Sequence, residues 1–240
     1  MNVLDDLFHN KQVSAKDFFE YRHNLKHQPE LQQDFIDFLL QNRKQDEMTM
    51  LTPVQLILLS KLCVVFLDNL RLGQKPTILT LHVINTSVTF AAVIGANNVL
   101  LSYLLLEHPA LRTSNFWINL YELEVHQKYS MHQSFIANES SSEDQVSSLK
   151  TWWRETKFSV LNTFSILFSE YGQEKNDLKY FIQKVNEQFQ LNLNKEEAKM
   201  TEQLFKDQKV HKFSKEEDEE INKTKKAVEC YLMVSKTFSE

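Results

Sequence analysis

The side chains able to do chemistry are few and scattered. His23 and His27 stand one helical turn apart, with Glu20 and Glu30 nearby, a spacing at which two imidazoles can share a metal. The HExxH order is absent and no further ligand is anchored close by, so the pair reads as exposed helix histidines. Cys63 would be a nucleophile if a histidine such as His82 approached it, but Leu62, Val64 and Val65 around it point to a buried, inert thiol. Trp152 and Trp153, followed by Arg154, Glu155 and Lys157, have the composition of a protein-binding anchor, because Trp and Arg dominate interface energetics. Adjacent helix residues point about 100° apart, so at most one of the two indoles need face a core. Arg112 and Trp117 complete the candidate partner-binding set. No Gly-rich phosphate loop, Ser-His-Asp order, metal cluster or paired-carboxylate motif is present. Cofactors and metals are therefore not expected, and catalysis has no positive sign.

The elements that must position these residues are helical. Three Gly and four Pro in 240 residues leave few sites for tight turns and bulges, which argues for an all-α fold. A net charge of −5 supplies no basic face, so nucleic acid is not an expected partner. The two cysteines cannot by themselves build a disulfide framework or a thiolate zinc site. The first ten residues hold two Asp and no Lys or Arg, unlike a secretory signal. Residues 78–106 lack any charged side chain, but His82, Asn85, Thr86, Ser87, Thr89, Asn97 and Asn98 would be stranded in lipid. The stretch reads as buried protein helices, with no membrane span.

Thr52 is a good N-cap, Pro53 suits the first helical position and Gln55 can complete a capping box, so a helix starts at Pro53. Two short helices, one before Lys61 and one over 62–70, would end at Gly73. Thirty-four residues on, Thr52-Pro53-Val54-Gln55-Leu56-Ile57-Leu58 lines up with Thr86-Ser87-Val88-Thr89-Phe90-Ala91-Ala92, and Lys61 with Gly95. In the second copy, Thr86, Val88, Ala91, Ala92, Gly95, Val99, Leu104, Leu105, Glu107, His108 and Ala110 follow the order of the ankyrin repeat. The segment 50–113 thus resembles a degenerate ankyrin-like array. The resemblance implies helical hairpins, with Ala91 and Ala92 at close stacking positions and Gly95 in an inter-helix turn. Helices opened by Ser14 with Asp17, over 30–40 and over 117–135 would cap its ends.

Residues 138–148, polar and serine-rich, read as a linker or loop that divides 1–137 from a C-terminal helical bundle over 149–240. The bundle is expected to hold helices at 149–171, 174–191, 195–210 and 214–238, the last two opened by Asn194 with Glu197 and Ser214 with Glu217. The run Glu216, Glu217, Asp218, Glu219 and Glu220 suits a solvated first helical turn. With Phe238 third from the end, it also resembles the C-terminal signals of Legionella Dot/Icm type IVB effectors, which join a glutamate-rich block to a late hydrophobic residue. That resemblance implies a protein of the bacterial cytoplasm before secretion and of the host cytosol after translocation. The expected function is a secreted effector acting as a non-enzymatic protein-protein interaction module on a host protein or another bacterial effector. Its rivals are an effector enzyme with an unrecognised site and a bacterial chaperone or inhibitor of another effector.

Overall fold

Local side-chain chemistry places four of the helix starts. In the computed structural model, Ser14 accepts from the Asp17 amide at 3.1 Å and opens α2 (Ala15–His27). Thr52 and Gln55 exchange hydrogen bonds of 2.6 and 3.3 Å, the reciprocal capping box that opens α4 (Pro53–Asp68). Asn194 and Glu197 open α10 (Lys195–Asp207) in the same way, and Ser214 and Glu217 open α11 (Lys215–Thr237). The other helices are α1 (Val3–Phe8), α3 (Pro29–Asn42), α5 (Ile78–Ser87), α6 (Leu101–Leu105), α7 (Ser114–Ile136), α8 (Glu143–Glu170) and α9 (Lys175–Phe189), with a 3₁₀ turn over Pro109–Arg112. The structure describes residues 3–9, 13–44, 47–68, 70, 75–136, 143–171, 173–207 and 213–237. The fold is mostly helical, and none of the described helices is long and apolar enough to cross a membrane.

Two expectations change in the first half. Lys61 does not divide the 53–70 region into two helices: α4 runs through it without a break, because Lys is a good helix former and its ammonium reaches Glu229 at 2.7 Å. The larger change is a three-stranded sheet of β1 (Thr49–Leu51), β2 (Phe90–Ile94) and β3 (Asn97–Leu100), in that order. β1 pairs parallel with β2, and β2 pairs antiparallel with β3, with Ile94 opposite Asn97. The helix expected for the second ankyrin-like copy is therefore a strand. Ala91 and Ala92 are fully buried in the central strand rather than at a helix-stacking face.

The cause is local. Three hydroxyls terminate α5 by bonding its own carbonyls: Thr86 Oγ1 to His82 at 2.7 Å, Ser87 Oγ to Ile84 at 2.8 Å, and Thr89 Oγ1 to Thr86 at 2.7 Å. Gly95, at a φ of 65°, then leads a two-residue loop, the position where a hairpin wants glycine. Gly95 thus closes a hairpin instead of an inter-helix turn.

The chain groups into two compact units, residues 1–74, 82–108 and 211–240 in one, and 75–81 and 109–210 in the other. This differs from a division at 138–148: α7 belongs with α8, α9 and α10, whereas α11 belongs with the N-terminal elements. Residues 138–142, the first five positions of the expected linker, lie outside the described residues, and Glu143 onward is helix. In the first unit, α4 buries Leu56, Ile57, Leu59, Leu62, Cys63 and Phe66 against α2, α6, β2 and α11. In the second, Trp117 and Tyr121 of α7 are fully buried among Phe164, Phe168 and Tyr171 of the α8 end and Phe181 of α9.

Candidate interaction surface

The side chains with the composition of a binding anchor meet where α7 and α8 pack in the second unit. Tyr129 and His132 are one turn apart on α7; Trp152, Trp153 and Lys157 lie within five positions of each other on α8 and all are half-buried. His132 stacks on Trp152 with ring centroids 3.5 Å apart and planes 23° from parallel. Trp152 and Trp153 follow at 5.9 Å and 21°, and Tyr129 lies against Trp153 at 4.6 Å. The Lys157 ammonium sits 5.4 Å over the Trp153 ring and donates to the Phe189 carbonyl at 2.9 Å. Burial there lowers its affinity for a proton. The result is a column of rings with an imidazole at one end and an ammonium at the other.

Arg154 turns away from that column. One of its terminal nitrogens donates to both oxygens of Glu197, at 2.9 and 2.8 Å, which ties α8 to the first turn of α10. The Asn194 amide and the guanidinium together hold the Glu197 carboxyl below its ordinary range. Arg112 is exposed on the Pro109–Arg112 turn and takes no part in the ring column. Trp117 leaves the partner-binding set altogether. It is fully buried, donates from its indole nitrogen to the Leu111 carbonyl at 2.8 Å, and packs on Phe168 and Tyr171. Its size and apolarity made it look like an anchor; the same properties put it in a core.

The residues that sequence reasoning did not join to the tryptophans are Tyr129 and His132. Their i, i+3 spacing marks one face of α7, but nothing local says that this face meets α8.

The acidic run is more engaged than a solvated helix start. Glu217 accepts from its cap, Ser214, and from the Asn97 side chain on β3, while Asp218 accepts from the Tyr103 hydroxyl of α6. The Ser214 amide and Asn97 lower the Glu217 carboxyl, and burial with the Asp218 contact raises the Tyr103 phenol. Phe213 meets Tyr103 edge-on at 4.6 Å. Glu216, Glu219 and Glu220 remain exposed. Phe238 lies outside the described residues.

Among the described residues, the remaining reactive groups form no shared site. His23 and His27 are exposed, with rings 4.8 Å apart, and no group of three metal-ligating side chains occurs among the described residues. The Cys63 thiol is fully buried and burial pushes its pKa up, which keeps it protonated and unreactive. His108 is buried 3.5 Å from Asp68, whereas His126 is exposed beside Glu122. No protein-family model, curated protein or solved structure matches the chain.

Proposed function

We propose that this chain is a protein-binding module without catalysis of its own, and that it holds its partner at the α7 and α8 ring column of the second unit. The observation that carries the reading is the column itself: two half-buried indoles packed against His132, Tyr129 and Lys157. Pre-ordered aromatic side chains bury large area on binding with little entropy left to lose. The ankyrin-like array is not needed for this reading, since β2 stands where one of its helices would be.

The proposed setting is a bacterial protein translocated into a host cell. Its support is the sequence of the acidic run and Phe238 near the C-terminus.

The test is retention of a protein from host lysate, set beside bacterial lysate, by the wild-type chain and by a Trp152→Ser, Trp153→Ser variant of unchanged far-UV circular dichroism. A species held by wild type and by a Tyr180→Ala control, but lost with the double variant, supports the column. Equal retention by all three removes it. Retention from bacterial lysate alone would turn the reading toward a chaperone or inhibitor of another bacterial protein.

A further inference from the structure

We infer that α11 is a releasable strap, which opens from the first unit as one piece while the rest of that unit stays folded, and so uncovers the faces of α2 and α4 on which it lies. It returns to this unit from far along the chain, after residues 109–210 have built the other one. Its apolar hold is thin: among its described side chains only Ile221, Val228 and Leu232 are buried. Cys230, Tyr231, Met233 and Val234 are exposed. The helix beneath it, α4, is held quite differently, with nine apolar side chains buried over 16 residues against α2, α6 and β2 as well as α11. Removing α11 leaves those other partners in place.

Polar contacts along the length of α11 add to its apolar hold. Asn97 and Tyr103 hold Glu217 and Asp218, with Phe213 packed on Tyr103. Farther along, Lys61 meets Glu229 at 2.7 Å and Lys225 meets Glu107 at 3.4 Å, at the surface where water competes for both pairs. An element with few buried apolar side chains, held by two surface ion pairs and a part-buried clasp, belongs to the low-stability end of the range of local opening free energies. The clasp at Asn97 and Tyr103 is the part whose loss frees it.

Native-state hydrogen exchange on the full chain, read by mass spectrometry, tests this. Amides of α11 should exchange at least about tenfold faster than those of α4, the difference expected between sub-global and global opening. Tyr103→Phe combined with Asn97→Ala removes two charge-assisted hydrogen bonds, so it should speed α11 by a further factor of at least about ten and leave α4 unchanged. Val228→Asp, which attacks the apolar hold instead, should free α11 with α4 again protected. Exchange of α11 and α4 at one common rate, or loss of α4 protection in step with α11 in either variant, would overturn the proposal.

Discussion

Trp117 and Trp152 show how much the surroundings decide what a side chain does. Trp117 has no solvent contact and a satisfied indole nitrogen, so Trp117→Ala should cost about 3–5 kcal/mol by the transfer and cavity terms of a large core deletion. Trp152→Ala removes a half-buried ring stacked on His132 and should cost less, about 1.5–2.5 kcal/mol, the aromatic pair plus the part of the ring that is buried. Urea midpoints of the two variants check the contrast, and similar losses would mean that the ring column is core rather than surface. Arg154 offers a pH test. Its partner Glu197 has a depressed carboxyl pKa, so the pair contributes stability above the unfolded carboxylate value and loses it as pH falls through the lower folded value. Arg154→Gln should therefore be less stable than wild type at neutral pH, with the deficit shrinking in acid below about pH 4. A deficit that stays constant from pH 7 to pH 3 would show that the guanidinium acts through packing and not through charge.

At the scale of elements, the β2 and β3 hairpin carries the clearest test, because its glycine is needed for two separable reasons. A Cβ at Gly95 would lie 2.2 Å from Glu220 Oε2, and the residue sits at a φ of 65°. The carboxylate is the end of a flexible side chain and can move, whereas the left-handed backbone costs an L-residue about 1–2 kcal/mol wherever its neighbours go. Gly95→Ala should thus lower stability by about that amount, and adding Glu220→Ala should not restore it; full rescue in a denaturation series would place the cost in the clash. The same hairpin marks the limit of what the sequence disclosed. Helix starts were legible at Ser14, Thr52, Asn194 and Ser214, because a cap and its partner three residues on form a local signal that folding preserves. The strands were not, because Ala91 and Ala92 read as helix formers and the parallel partner β1 lies some 40 residues earlier, beyond any local pattern. For the candidate site, the tryptophans and Arg154 were legible by type. Their neighbours Tyr129, His132 and Glu197 were not, nor was the grip of Asn97 and Tyr103 on the acidic run, since each depends on which helices pack together.

For the whole molecule, the question is which stretches of chain can build a core alone. A break at the polar stretch 138–148 would free 149–240 as a bundle, yet that piece lacks Trp117 and Tyr121, two of the largest side chains buried in the second unit's core. It also carries α11, whose buried Ile221, Val228 and Leu232 belong to the other unit. Residues 109–210, by contrast, hold α7 through α10 and the rings that meet between them, with only the short segment 75–81 supplied from elsewhere. A core of this size in about a hundred residues is enough for independent folding. Expressed separately, 109–210 should show a near-UV circular dichroism signal from its ordered tryptophans and one cooperative thermal transition. The 149–240 fragment should keep helical far-UV signal at most, without that transition, because a bundle missing its central aromatic side chains loses fixed packing before it loses helices. Cooperative unfolding of 149–240 would restore the boundary at 138–148. Failure of 109–210 to unfold cooperatively would show that 75–81 is a required part of its core, which adding that segment back as a longer 75–210 chain would then have to repair.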